Sequence, residues 1–167
     1  MKKITALLLL SIAFGCNSTK ETVSKNTIKT PFVWESANVY FLLLDRFQNG
    51  NPSNDNIIKR DKPTGPLRGF EGGDLRGIIQ KLDEGYFTSL GINAIWMTPV
   101  VEQIHGSVDE GTGNSYGFHG YWTKDWTAID PSYGTRADLK ELVDKAHAKG
   151  IRIMLDAVIN HTGPVTE

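Results

Sequence analysis

Residues 151–163 read Ile-Arg-Ile-Met-Leu-Asp-Ala-Val-Ile-Asn-His-Thr-Gly, and this stretch decides the fold. Its first part is an almost continuous apolar run, which is typical of a strand buried on both faces of a parallel sheet. The polar side chains Asp156, Asn160 and His161 follow within a few positions. A buried strand that becomes polar at its C-terminal end is typical of the active edge of a (β/α)8 barrel. The alternative is a core strand whose Asp and Asn only begin a turn.

Two more strands and two helices are predicted upstream. Apolar runs at 39–44 and 92–97 indicate buried strands, and apolar residues recur at helical spacing over 74–90 and between Thr135 and Gly150. The order strand, helix, strand, helix, strand predicts a parallel sheet with right-handed crossovers.

Suitable terminal residues flank both predicted helices. Asp74 can cap the first helix, and Gly91 suits the end of that segment. Thr135 and Asp138 form a pattern like a capping box, with Asp in place of the usual Glu or Gln.

Long connections follow the predicted strands, as on the active face of a barrel. Residues 45–69 are rich in turn formers, and residues 101–133 are predicted to be a long functional loop. A whole barrel needs about 250 residues, so we expect an incomplete α/β barrel with its first three strands and two helices. The alternative is a doubly wound nucleotide-binding fold. That fold requires G-x-G-x-x-G after the first strand, where this chain has Asp45-Arg46-Phe47.

Composition excludes several function classes. The net charge of −1 gives no basic excess for binding nucleic acid. Cys16 is the single cysteine, so neither an intrachain disulfide nor a thiolate metal cluster can form.

The N-terminus is predicted to be an export signal. Lys2 and Lys3 precede a short apolar stretch at 4–14, and Ala13-Phe-Gly-Cys16 is similar to a bacterial lipoprotein box, although Leu is more usual at the place of Ala13. We therefore expect a signal peptide over 1–16, lipid on Cys16 that anchors the protein to a membrane, a flexible tether over 17–31 and a folded domain over 32–167. The alternative is an ordinary secretion signal with an incidental cysteine, and both predict export.

The turn-rich segment after the first strand offers oxygen ligands. Asn49, Asn51, Asn54 and Asp55 lie in a Gly/Pro loop, and Ca²⁺ prefers six to eight hard oxygens. The loop lacks the spacing of an EF-hand. The alternative is that these residues only form turns.

Residues 118–122 read Phe-His-Gly-Tyr-Trp and are suited to a sugar. His119 and Tyr121 alternate around a glycine, so they could line one pocket wall, where an aromatic face packs on a pyranose. The alternative is a packed aromatic loop without a ligand.

These motifs together resemble the α-amylase family, glycoside hydrolase family thirteen, over about residues 37–163. Residues 156–161 resemble the motif after its third barrel strand, and residues 118–122 resemble its Tyr-His-Gly-Tyr-Trp with Phe118 in place of Tyr. The resemblance implies that Tyr121 stacks on the sugar next to the scissile bond, with His119 nearby. It also implies that Asp156 supports the active site, that His161 donates to a sugar hydroxyl and that Asn160 binds a structural calcium.

The loop after the first strand resembles the calcium loop of bacterial α-amylases and cyclodextrin glucanotransferases. The matching ligands, completed by a Gly-Gly-Asp segment, are Asn49, Asn51, Asn54, Asp55, Gly72 and Asp74. The position of Asn49 is often Asp in that family, so weaker calcium binding is expected here.

The implied activity is hydrolysis or transfer on α-1,4-glucans or maltooligosaccharides by a retaining mechanism, which needs two carboxylates about 5 Å apart. In the family these follow the fourth and fifth strands, and a third Asp follows the seventh. No residue of this chain matches them. We therefore expect an N-terminal fragment of a secreted, lipid-anchored enzyme that is inactive alone. The alternative is a non-catalytic, glucan-binding surface lipoprotein. The sequence does not separate hydrolase from transglycosylase.

Overall fold

The structure is a computed structural model that describes residues 31–165. After a short 3-10 turn at Trp34–Ser36, the elements in chain order are β1 (Val39–Leu42), α1 (Leu44–Phe47), α2 (Leu75–Asp83), α3 (Tyr86–Ser89), β2 (Ala94–Met97), β3 (Val101–Gln103), β4 (Val108–Asp109), β5 (Asn114–Ser115), β6 (Thr123–Ile129), α4 (Arg136–Ala148) and β7 (Arg152–Leu155).

A parallel sheet with strand order β1-β2-β7 is the centre of the fold. Leu42, Met97 and Leu155 are in register across it. The sheet is parallel, as predicted, and helices separate its three strands along the chain. β1 ends at Leu42, before the predicted end at 44, because Leu44 begins the single turn α1 and donates its backbone N–H to Thr98 Oγ1 at 3.1 Å.

The two faces of this sheet differ. One face packs against α2 and α4 through fully buried Ile95 and Met97 and a cluster of helix side chains that includes Ile78, Leu82 and Leu142. On the other face, Phe41 and Trp96 are 52% and 39% exposed, and their ring centroids are 4.9 Å apart.

The helix predicted over 74–90 is two helices, which corrects that prediction. α2 ends at Asp83, and Gly85 adopts a φ of +80° before α3 begins. The predicted caps are present: Asp74 Oδ1 accepts the Gly77 N–H at 2.7 Å, and Thr135 and Asp138 form a reciprocal capping box. A left-handed glycine is favourable at such a break because it has no Cβ.

The long loop predicted over 101–133 contains two antiparallel ribbons, which also corrects the prediction. β3 pairs with β6, and β4 pairs with β5. β3 to β5 have only two or three residues each, and β3 is irregular in its pairing with β6. Strands this short carry no recognisable alternation of apolar and polar residues.

Among residues 31–165, the helices are too short or too polar to cross a membrane. The predicted signal peptide over 1–16, Cys16 and all but the last residue of the tether over 17–31 lie outside the described residues.

Candidate functional site

Two segments that the sequence analysis singled out separately meet beyond the carboxyl ends of β2 and β7. The Tyr121 hydroxyl donates to Asp156 Oδ2 at 2.8 Å. His161 Nε2 lies 3.0 Å from the Tyr121 carbonyl oxygen, which can only accept, so this imidazole donates from Nε2. Tyr121, Asp156 and His161 therefore form one connected group.

The Tyr121 phenol is held in its protonated form. Burial, together with the neighbouring Asp156 carboxylate, raises the pKa of Tyr121 to about 12. At neutral pH the hydroxyl is a donor and Asp156 is the acceptor, which fixes the tilt of the Tyr121 ring.

His119 packs beside the same tyrosine. The two rings are nearly parallel, at 18°, with centroids 5.9 Å apart, and Trp122 meets His119 edge-on at 4.8 Å. His119 Nδ1 accepts the Tyr121 backbone N–H at 3.0 Å, and Gly120 between them has a φ of +88°. The two side chains are therefore adjacent, and their lining of one pocket wall stays a prediction.

His119 is predicted to be neutral, with its proton on Nε2. Burial lowers its pKa from the ordinary 6.5, and the Nδ1 lone pair is already used. A lowered pKa stabilises the fold above pH 6.5, and this stabilisation is lost as the pH falls through the folded-state pKa, because an imidazolium cannot accept from Tyr121. Nitrogen NMR of ¹⁵N-histidine-labelled protein, assigned with His119→Asn, should give a titration midpoint below 6.5. A midpoint at or above 6.5 would contradict this arrangement.

Arg46 was not assigned a role by the sequence analysis, yet it joins three segments. Its guanidinium pairs with Asp45 Oδ2 at 2.7 Å, donates to the carbonyls of Leu67 and Gly69 at 2.7 and 2.9 Å, and lies 4.0 Å from the centroid of the Phe118 ring. It therefore connects the end of β1 to the aromatic segment. The only sequence signal for this role is that Arg46 directly follows Asp45, the carboxylate at the end of the first predicted strand.

The buried Asp45 carboxylate is fully engaged. It accepts the backbone N–H groups of Glu71 and Gly72 in addition to the Arg46 pair. Burial outweighs these contacts and raises the pKa of Asp45 to about 6.

Two contacts that sequence reasoning missed fasten the segment after β7 to β6. The Trp126 indole N–H donates to the Val158 carbonyl at 2.7 Å, and the Gly163 N–H donates to the Thr123 carbonyl at 2.8 Å. A Cβ on Gly163 would lie 2.7 Å from the Trp122 carbonyl oxygen, so this close approach requires glycine. Neither contact has a local sequence signal.

Some of the predicted calcium ligands lie close together. This group, called the cradle here, consists of Asn49, Asn54, Asp55 and Gly72. Asn49 Nδ2 lies 3.0 and 2.9 Å from the two carboxylate oxygens of Asp55. A Cβ on Gly72, which has a φ of +90°, would lie 2.4 Å from Asn49 Nδ2 and 2.8 Å from Asp55 Oδ1. The Oδ1 atoms of Asn49 and Asn54 are buried without a hydrogen-bond partner among the described residues. Buried, unpartnered amide oxygens of this kind are suitable cation ligands.

The remaining predicted ligands have other contacts. Asp74 accepts the backbone N–H groups of Gly50, Asn51 and Gly77 at 3.1, 2.8 and 2.7 Å, and burial raises its pKa. The Asn51 side-chain oxygen accepts from the Ser53 hydroxyl at 2.7 Å.

Asn160 lies beside His161, with Nδ2 3.4 Å from His161 Nδ1. Residues 31–165 contain no group of three His, Cys, Asp or Glu side chains that could hold a metal, so a cation here would depend on amide and backbone oxygens.

Three aspartates at this edge accept hydrogen bonds. Asp45 accepts from Arg46, Asp74 from three backbone N–H groups and Asp156 from Tyr121. The arrangement can stack and hydrogen-bond a polyhydroxy ligand. A cavity of about 500 Å³ adjoins the segment after His161 and is lined by Ile104, His105, Lys124 and residues 162–165.

A protein-family model and several known proteins match most of this chain. The family model described as "Alpha amylase, catalytic domain" matches residues 41–167. A periplasmic alpha-amylase of Escherichia coli is 51% identical over 81% of this chain and 20% of its own length. A cyclomaltodextrin glucanotransferase of Niallia circulans is 35% identical over 99% of this chain and 24% of its own length.

The fold has solved counterparts. The crystal structure of an alpha-amylase from Geobacillus thermoleovorans, complexed with acarbose, has a TM-score of 0.60 and 37% identity, and it covers 80% of this chain and 25% of that chain. The chain thus spans about a fifth to a quarter of the length of the relatives that it matches.

Proposed function

Since the chain belongs to the α-amylase family and its residues 41–167 match the catalytic domain, we propose that it is part of a glycoside hydrolase that acts on α-1,4-glucans with retention of configuration. One observation carries this proposal. Tyr121, Asp156 and His161, which come from two segments, form a connected group next to His119 at the carboxyl ends of the strands. That edge is where barrel enzymes bind substrate.

Each residue of this group has a proposed role. The Tyr121 ring packs on the apolar face of the sugar beside the scissile bond, and Asp156 holds that ring in place through the phenol. His119 supports the backbone of Tyr121 from the other side. His161 donates a hydrogen bond to a sugar hydroxyl when substrate displaces the Tyr121 carbonyl from Nε2. The acarbose complex of the Geobacillus thermoleovorans relative is consistent with a glucan-like ligand.

We also propose that the three parallel strands belong to a larger (β/α)8 barrel whose further strands carry the nucleophile and the acid/base. Retaining hydrolysis needs two carboxylates about 5 Å apart, and Asp45, Asp74 and Asp156 are engaged in other contacts. The half-exposed Phe41 and Trp96 lie on the sheet face opposite the helices, where a closed barrel packs its interior side chains. Whether hydrolysis or transfer results would depend on residues outside this chain.

Calcium is proposed to bind the cradle at the start of α2. Asn49, Asn54, Asp55 and Gly72 would be its principal ligands, with Asn51 and Asp74 adjoining, and Asn160 would belong to a second site. The unpartnered Asn49 and Asn54 oxygens support this fit. When bound, the cation would neutralise the Asp55 carboxylate and tie residues 49–55 to the Gly72 segment.

We propose that the protein is exported and that lipid on Cys16 anchors it to a membrane. The Escherichia coli relative is a periplasmic enzyme, and the sequence around Cys16 is similar to a lipoprotein box. Acyl chains on Cys16 would hold the domain at a membrane surface without a spanning helix.

The test uses the native polypeptide, captured from the cell envelope with an antibody to residues 60–70. A mass of several tens of kilodaltons, with hydrolysis of maltoheptaose to products that first appear as α-anomers by proton NMR, is the expected result. Tyr121→Phe keeps the ring but removes the donor to Asp156, so kcat/KM should fall about tenfold, or about 1.4 kcal/mol. Glucan binding without turnover would instead favour the non-catalytic surface lipoprotein, and first products with inverted configuration would contradict the retaining mechanism.

A further inference from the structure

We propose that Trp126 is a positioning residue, whose indole N–H sets the location of Asp156 and His161. This inference rests on the binding roles proposed for those two residues. The segment concerned is residues 156–163, called here the post-β7 segment, which has no helix or strand of its own.

The post-β7 segment is attached to the segment 121–126 at four points. Tyr121 contacts it twice, through its hydroxyl to Asp156 and its carbonyl to His161. The Gly163 N–H closes its far end on the Thr123 carbonyl. Trp126 makes the fourth contact, at 2.7 Å to the Val158 carbonyl.

The Trp126 contact holds residues 157–160, which the other three contacts do not reach. Val158 lies between Asp156 and His161, and within residues 31–165 its carbonyl makes the only hydrogen bond recorded for the backbone of 157–160. Asp156 and His161 directly flank this stretch of backbone. A shift of the Val158 carbonyl therefore moves both of them relative to Tyr121.

Burial does not account for a tryptophan at this position. Trp126 is 46% exposed, and Ile159 in the facing segment is 88% exposed, so hydrophobic packing holds this part of the segment only weakly. A phenylalanine would supply a similar apolar ring. What the indole adds is a directional N–H donor aimed at a backbone carbonyl.

The experiment compares Trp126→Phe with Trp34→Phe in the native polypeptide. Trp34 is also partly exposed, at 52%, it lies outside the parallel sheet, and among the described residues its indole N–H makes no hydrogen bond, so it is a matched control. Hydrogen exchange read by mass spectrometry should show about fivefold faster exchange of the hydrogen-bonded Asp156 and Gly163 amides, in peptides covering 156–163 of the Trp126 variant, with β2 unchanged. The Trp34 variant should leave 156–163 unchanged.

A second readout reports the active group directly. Nitrogen NMR should show His161 leaving its single Nε2–H tautomer in Trp126→Phe, because its acceptor no longer lies at a fixed place. Gly163→Ala, which releases the same segment at its other end, should give the same change and serves if the phenylalanine variant folds poorly.

Unchanged exchange over 156–163 with an unchanged His161 spectrum would overturn the proposal, as would equal acceleration in β2, which indicates general destabilisation. Neither readout requires turnover, so a polypeptide that proved inactive on glucans would count against the proposed function alone.

Discussion

Gly77→Ala is expected to destabilise the fold by about 3–4 kcal/mol, although the substitution lies inside a helix. Intrinsic propensity predicts the opposite sign, since alanine is favoured over glycine in a helix interior by about 1 kcal/mol. The structure decides between them. A Cβ on Gly77 would lie 1.9 Å from the Gln48 carbonyl oxygen, and one on Gly50 would lie 2.2 Å from the Gly77 nitrogen. Two backbones touch here without side chains between them.

This contact is difficult to relieve because both partners are fixed. Gln48 also accepts the Asp74 N–H at 3.1 Å, and Asp74 in turn accepts from Gly50 and Gly77. Any outward movement of α2 would break these bonds as a group.

Urea unfolding of the native polypeptide measures the effect. Gly69→Ala is the matched control, because a Cβ there meets only the Thr64 side chain at 3.4 Å and its φ is not left-handed. The control should change the free energy of unfolding by less than about 1 kcal/mol. If Gly77→Ala were as stable as Gly69→Ala, the close approach of α2 to residues 48–50 would be wrong.

Asn49→Asp is expected to have opposite effects with and without calcium. The Asn49 amide donates to both Asp55 oxygens, at 3.0 and 2.9 Å. A carboxylate at position 49 replaces this attraction by repulsion, so the unfolding temperature in EDTA should fall by about 5 °C. With calcium bound, a charged carboxylate replaces the neutral amide ligand at position 49, and affinity should rise about tenfold or more.

Calorimetry for calcium affinity, and thermal unfolding with EDTA or with calcium, test both signs. Asn56→Asp adds the same charge at an exposed neighbour and should leave calcium affinity within about twofold. A single sign in both conditions would contradict the cradle. An unchanged affinity in Asn49→Asp would move the ion, if any binds, away from Asn49.

The parts of this fold that could be predicted from sequence are local. Asp74 and Thr135 cap their helices as predicted because a cap depends on residues within one turn. The three strands and their parallel order also followed from apolar runs and spacing. Burial on both faces did not, since Phe41, Trp96 and Leu155 are half-exposed among the described residues. The break at Gly85 could not be predicted, because an isolated glycine in a helical pattern can be tolerated without ending the helix.

The parts that could not be predicted depend on distant partners. Arg46 meets Phe118, and Trp126 meets Val158, across long stretches of chain and different elements. Composition and periodicity contain no information on such pairs. The candidate site was therefore found from its motifs, whereas the residues that hold it in place became visible only in three dimensions.

β1 and β7 are the outer strands of the three-stranded sheet. Within residues 31–165, each has one row of backbone N–H and C=O groups that no neighbouring strand occupies, and rows of this kind are templates for pairing with another chain. Each row is only four residues long, which limits how firmly a foreign strand can attach. The same two edges that would receive further strands of a barrel are therefore the places where this segment, kept alone at high concentration, would begin to aggregate.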